Sequence, residues 1–232
     1  MRKVALLILS FIFCGSSFGA TFVPVSGTLH ASASASGTTG TIVDNPADQT
    51  LGTAYGSFSD AAKASNPSGF FGTSVGALTT SASLSSDAIT LQGNGQSTGG
   101  GGTHNSDFSG DGNGSISLVV DIPSNAALFV AAGCDSMHAN GQVTIKNGLG
   151  TSVYTNIILP NNDYPFQLTN SPLNLAAGEY TIQAYFSIEP SAGTSGGGIA
   201  GMTLTLAPEP VGTLAIIGLI MPMIRFRRSS RH

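Results

Sequence analysis

Apolar side chains in this chain return at every second residue, not at every third or fourth. Residues 115–122 read SISLVVDI, with Ile116, Leu118 and Val120 on one face. Residues 179–188 place Tyr180, Ile182, Ala184 and Phe186 on one face, and residues 199–206 alternate through Met202, Leu204 and Leu206. Period two is the geometry of a strand that buries one face. Further strands are expected at 126–133, 142–146, 151–158 and 164–168, with Asn147-Gly148 supplying a tight turn between two of them. Strands at this spacing, with no amphipathic helical period between them, predict an all-β fold: an antiparallel β-sandwich or jelly roll.

The first half carries a weaker form of the same pattern. Residues 28–37 read TLHASASASG, in which alanine and serine alternate strictly. A strand built this way has a small apolar face and a hydroxyl face. Weak strands are also expected at 51–60, 69–84 and 86–93. Lys63 falls in a loop-like stretch with Asn66 and Pro67; Ser85, Ser86 and Asp87 could nucleate a short helix, but nothing supports its length. Residues 93–114 contain four consecutive glycines, 99–102, and read as a flexible loop. In the second half, Leu175-Ala176-Ala177-Gly178-Glu179-Tyr180 resembles the corner at which a β-sandwich crosses between its sheets. There a tyrosine hydroxyl bonds backbone a few residues upstream. Tyr180 and Gly178 are therefore assigned structural roles.

Charge narrows the function classes. Between residues 21 and 207 the only cations are Lys63 and Lys146, against eleven carboxylates, a net charge of −9. A domain this poor in lysine and arginine is a poor match for nucleic acid. Cys134 is the only cysteine of that span, so it has no internal disulfide partner. A small buried apolar role suits it better than a metal site shared with His138.

The two ends of the chain are different in kind. Arg2 and Lys3 precede an apolar stretch, and small residues follow from Gly15 to Ala20. This is the layout of a secretory signal peptide over residues 1–20, read by the export translocon and cut by signal peptidase. At the other end, Pro208-Glu209-Pro210 leads into an apolar run and then a basic tail, 225–232. The run from 211 to 224 spans 14 residues. As a helix it is about 21 Å long, short of the roughly 30 Å hydrocarbon core of a bilayer. Phe226 and the snorkelling stems of Arg225 and Arg227 extend it, giving a transmembrane helix over 211–226. The arginines are expected to stay cytoplasmic, which puts residues 21–207 outside.

The order of these three parts resembles the C-terminal sorting signal of the PEP-CTERM family of exported bacterial proteins. Pro208, Glu209, Pro210, the apolar run, and Arg225, Arg227 and Arg228 carry the resemblance. It implies an exosortase-type membrane enzyme as processing partner, transient anchoring in the inner membrane, and release to the cell surface or extracellular matrix. It also implies association with exopolysaccharide or biofilm.

Two constellations bear on chemistry. Asp107, Ser109 and Asp111 fall at positions one, three and five of a calcium loop of the EF-hand type, with Gly112 at the sharp-turn position and Asn113 following. Position twelve is Leu118 where a bidentate glutamate is needed, so an Asp/Gly-rich turn is the simpler reading; calcium is the one cofactor the sequence suggests. No Gly-x-Ser-x-Gly elbow precedes a helix, and no paired carboxylates point to glycoside cleavage. Tyr55, Phe58, Phe70 and Phe71 are the aromatics available to stack on sugars, although core packing suits them better. The expectation is an exported, non-enzymatic surface or matrix protein. The alternative is a carbohydrate-binding module with calcium support.

Overall fold

The computed structural model describes residues 20–37, 40–67, 73–98, 109–134, 139–158, 167–168, 172–189 and 195–208. The regular structure of these residues is β-strand throughout. The strands are β1 (Val23–Gly37), β2 (Gly40–Asp44), β3 (Gln49–Leu51), β4 (Gly56–Pro67), β5 (Thr73–Leu84), β6 (Ala88–Thr98) and β7 (Gly110–Ile122). They continue with β8 (Ala126–Cys134), β9 (Ala139–Asn147), β10 (Ser152–Ile158), β11 (Gln167–Leu168), β12 (Leu173–Leu175), β13 (Gly178–Ile188) and β14 (Ser195–Pro208).

The strands form two antiparallel sheets. Sheet A runs β10-β9-β13-β7-β1-β2, with β3 beside β1; sheet B runs β11-β8-β14-β6-β5-β4, with β12 beside β8. The predicted two-sheet sandwich is the observed architecture. The period-two pattern explains it, because every long strand turns one row of side chains inward. Along β7 the inward row is Gly110, Gly112, Gly114, Ile116, Leu118, Val120 and Ile122.

That row divides the core into two regions. In the wide region Ile116, Leu118, Val120 and Ile122 meet Leu29, Leu84, Ile89, Leu91, Ile182 and Leu204 in one continuous apolar cluster. In the narrow region, where β1, β4, β5 and the start of β7 meet, the buried apolar side chains are Ala31, Ala33, Ala35, Ala62 and Ala64. There the backbones themselves come together. A methyl group added to Gly76 of β5 would collide with the carbonyl oxygens of Ser34 and Asp111, and one added to Gly110 would collide with that of Val75. Sheets normally stack about 10 Å apart; glycine lets these approach more closely.

Polar bonds between sheets replace apolar area in this region. Ser74 Oγ donates to Ser36 O at 2.5 Å, Asn66 Nδ2 to Gly40 O at 2.6 Å, and Thr80 Oγ1 to His30 O at 3.3 Å. Two aspartates cap amides along the open side: Ala31 N donates to Asp60 Oδ2 at 2.9 Å, and Lys63 N to Asp44 Oδ2 at 2.7 Å. Capping strand edges in this way blunts pairing with another chain.

Three expectations are corrected. Lys63 lies within β4 and not in a loop, because its neighbours Ala62 and Ala64 supply the small inward face that the narrow region needs. The stretch 93–114 is not one flexible loop. Gly93–Thr98 belongs to β6 and Gly110–Gly114 to β7; residues 99–108 lie outside the described residues. The glycines on these strands serve close packing: Gly93 faces the Phe186 ring and Gly110 the backbone of β5. Ser85–Asp87 makes a turn between β5 and β6 and not a helix, closed by Ser85 N donating to Ala88 O at 2.8 Å.

This turn also ties down both ends of the sandwich. Phe22 N donates to Ser86 O at 2.7 Å, and Leu206 N to Asp87 O at 2.9 Å. Ala20 and Phe22 are buried in the apolar cluster. Among the described residues no helix is long and apolar enough to cross a membrane, and the expected helix over 211–226 lies outside them.

Candidate ligand-binding face

The outer face of sheet A gathers the polar side chains that the sandwich turns away from its core. Strand register sets them in rows. Tyr185 of β13 is opposite Ser115 of β7 and Gln142 of β9, and His30 of β1 is opposite Ser115. In the next row Gln183 lies between Ser117 and Thr144. In the other direction Asn113 is opposite Ser32 and Ser187, and one row further Asp111 is opposite Ser34. Successive rows are about 7 Å apart, two residues along a strand.

Among the described residues, Tyr185 is the tyrosine or phenylalanine that the sheet A strands turn to this face, and it is 46% exposed. Its hydroxyl donates to Asn113 Oδ1 at 2.7 Å, which fixes the ring's direction across the strands. A shallow depression of about 270 Å³ opens beside it, lined by Tyr185, Gln142, Gln183, Thr144, Ser115 and Ser117, with backbone from Ile116 and Ala184 at its floor. Hydroxyl and amide side chains both donate and accept, so the depression can meet either kind of polar group.

A second depression, of about 280 Å³, is lined by Ser109, Asp111, Asn113 and Glu189. Asn113 joins the two through its bond to Tyr185. Partial burial pushes the Asp111 carboxyl above its usual range, and the nearby Glu189 carboxylate pushes in the same direction, against a long contact from the Ser34 hydroxyl. Ser187 Oγ donates to Glu189 Oε1 at 3.0 Å. On the β1 side, His30 Nδ1 and Asp48 Oδ1 are 2.7 Å apart.

The sequence-predicted site residues fare differently. Asp107 lies outside the described residues. Ser109, Asp111 and Asn113 do line one depression, but Asp111 and Asn113 are on the extended strand β7 and Ser109 immediately precedes it. Gly112, expected at a sharp turn, is paired to Ala33 on one side and Ile188 on the other. The calcium-loop geometry is therefore not formed: alternation along a strand has the same i, i+2, i+4 spacing as the opening of such a loop. Among the described residues no group of three or more His, Cys, Asp or Glu side chains is arranged to hold a metal.

Tyr180 holds the corner: its hydroxyl donates to Ala176 O at 2.9 Å, and burial raises the phenol above its usual pKa. Gly178 opens β13 with φ at 146°, a conformation that favours glycine. Cys134 is buried, with its Sγ donating to Ala139 O at 3.0 Å across the β8–β9 connection; His138 lies outside the described residues. Tyr55 lies in the β3–β4 connection, outside the strand rows of sheet A, and straps that connection to the residue before β1, its hydroxyl donating to Phe22 O at 2.6 Å. Phe58 packs against the core, and Phe70 and Phe71 lie outside the described residues. Pro208 ends β14; Glu209, Pro210, Arg225, Arg227 and Arg228 lie outside the described residues.

Tyr185 was missed as a candidate, although its signal was present. The alternation that turns Tyr180, Ile182, Ala184 and Phe186 inward turns Gln183 and Tyr185 outward.

No family model matches the chain, and no curated protein matches it. Among solved structures it is similar to a carbohydrate-binding module of Cellvibrio mixtus lichenase 5A in complex with cellotriose. Identity there is 15% over 62% of this chain and 86% of that one, with a TM-score of 0.25. It is similar to TmCBM61 in complex with β-1,4-galactotriose at 8% identity, over 67% and 88%, TM-score 0.28. It is also similar to VP2 of the infectious bursal disease virus subviral particle at 9%, over 82% and 58%, TM-score 0.26. Scores this low tie the chain to none of the three.

Proposed function

We propose that this chain is an exported, non-enzymatic protein whose sandwich binds polysaccharide outside the cell on the outer face of sheet A. The observation that carries the reading is Tyr185: an exposed ring with a tethered hydroxyl, beside a depression lined by amides and hydroxyls. A sugar polymer presents apolar C–H faces and many hydroxyls. An aromatic plane takes the first, and a few placed donors and acceptors orient the second. Pre-fixing the ring lowers the ordering cost of binding.

In this reading residues 1–20 direct export through the translocon and signal peptidase. Residues 208–232 form a PEP-CTERM-like sorting signal for an exosortase-type enzyme, with 211–226 as a temporary membrane hold. The anchoring of Phe22 and Leu206 to one turn supports this arrangement, because the first and last residues of the sandwich are then held at one place. Intact mass of the protein from its host tests the sorting part: extracellular material that retains 225–232 throughout contradicts it.

Tyr185→Ala in the full chain tests the binding part. Affinity electrophoresis against a polysaccharide panel is expected to show about a tenfold or greater loss, the scale of one aromatic contact, with the thermal midpoint nearly unchanged. Chelator is expected to have no effect. Wild-type protein that binds nothing in the panel, or a variant that binds like wild type, overturns the assignment of this face.

A further inference from the structure

We infer that the ligand of this face is an uncharged polysaccharide, and that Asp111 and Glu189 act as specificity determinants by repelling polyanionic ones. The inference rests on the proposed binding role of sheet A and adds the class of polymer.

The depression beside Tyr185 contains no ionisable group other than Tyr185 itself. Its polar lining is therefore matched to hydroxyls, and carboxylate or sulfate groups would find no cation there. The surroundings are acidic. Asp111 and Asn113 share the outward row of β7 with Ser115, and Asp111 lines the adjoining depression with Glu189. At the opposite end of the same face Asp121 is paired with Glu179. Lys146 is the one lysine of this face among the described residues, opposite Thr181 at the edge towards β10. His30 has its Nδ1 against Asp48.

Ser115 to Asp111 is four residues, about 14 Å along the strand. A polymer lying over Tyr185 along β7 and β13 must pass close to the Asp111–Glu189 pair. At about 0.01 M salt the screening length is roughly 30 Å, so the carboxylates act across that whole distance. Partial burial first, and then the Glu189 carboxylate lining the same depression, raise the pKa of Asp111, so a further negative charge here meets an acid already disfavoured as an anion.

The test uses the full chain with hydroxyethylcellulose and galactan as neutral probes and alginate as the polyanion, measured at low salt. At least one neutral polymer is expected to bind about tenfold or more tighter than alginate, since like-charge juxtaposition costs this much or more at an interface. The Asp111→Asn, Glu189→Gln double variant is expected to narrow that ratio about threefold or more, and raising salt to about 0.5 M should do the same for wild type. Equal or tighter binding of alginate by wild type overturns the inference while leaving the binding face standing. A ratio unchanged in the double variant removes these two residues as its cause. Failure of every polymer to bind overturns the underlying reading, and the inference with it.

Discussion

The wide and narrow regions of this core solve one problem by opposite means. In the wide region Leu118, Ile182, Leu204 and their neighbours remove apolar surface from water, the usual source of sandwich stability. In the narrow region alanine and glycine offer little such surface. Close backbone contact and the bonds from Ser74, Asn66 and Thr80 to the opposite sheet take its place. The first solution tolerates rearrangement, because long side chains have rotamers to move into. The second has no such slack, because the groups in contact are main chain. A Ser/Ala/Gly-rich sequence that looks too bland to fold is therefore under tight steric constraint where the sheets are closest.

Phe186 sits where the two regions meet and should show the largest effect. It is fully buried, flanked by Gly114 and Gly141 on the adjacent strands, and Gly93 faces it from sheet B. Glycines cannot reach into the space its ring occupies. Phe186→Ala is expected to cost about 4–5 kcal/mol, the upper part of the range for such truncations, read as a shift of the denaturant midpoint. A cost below about 2 kcal/mol would mean that the glycine strands collapse inward, and the supposed rigidity of the narrow region would be wrong.

A change of opposite sign probes the same rigidity with a smaller expected effect. Gly76→Ala adds one methyl group against the backbones of β1 and β7. Overpacking of this kind costs about 1–3 kcal/mol, and the upper value is expected here because no side chain can step aside. Gly148 is the control. An added Cβ there comes no closer than 3.5 Å to any other group, so Gly148→Ala should be close to neutral. Equal effects at the two glycines would erase the distinction between the regions.

The wide region was legible in the sequence and the narrow one only partly so. Ile116, Leu118 and Val120 announce their strand by alternation and size together. Ala31, Ala33 and Ala35 show the alternation but not which partner is small enough to accept them. The glycines were the main ambiguity. In a single sequence Gly93 and Gly110 look like loop residues, because glycine's freedom and its small volume leave the same trace. The same degeneracy produced the calcium-loop reading, since Asp111 and Asn113 alternate along β7, with Ser109 just before it, as ligands do along a loop. Tyr180 was legible because its corner is a local motif. Tyr185 could be found only by asking what the other face of its strand presents.

Asp111 offers the smallest effect and the finest test, because it lies on the outward side of the strand that lines the narrow region. Burial and Glu189 raise its native pKa above the usual 3.8. The folded chain then holds the proton to higher pH than the unfolded chain does. The contribution of Asp111 to stability is therefore most favourable below the ordinary carboxylate value, and it is lost as pH rises through the raised native value. At neutral pH the ionised group is a net cost. Asp111→Asn should accordingly stabilise the protein at pH 7 and lose that advantage on acidification through this window. Solvent screening of a partly exposed group keeps the gain to roughly a few tenths of a kcal/mol. Paired melting curves of the two proteins across the acid range isolate it, since other titrating groups cancel in the difference. If the interaction with Glu189 is real, the same substitution made in a Glu189→Gln background should gain less, because neighbouring charges are not additive. An advantage of equal size at both ends of the pH range would assign the effect to shape and not to charge, and a loss of stability at pH 7 would reverse the sign argued here.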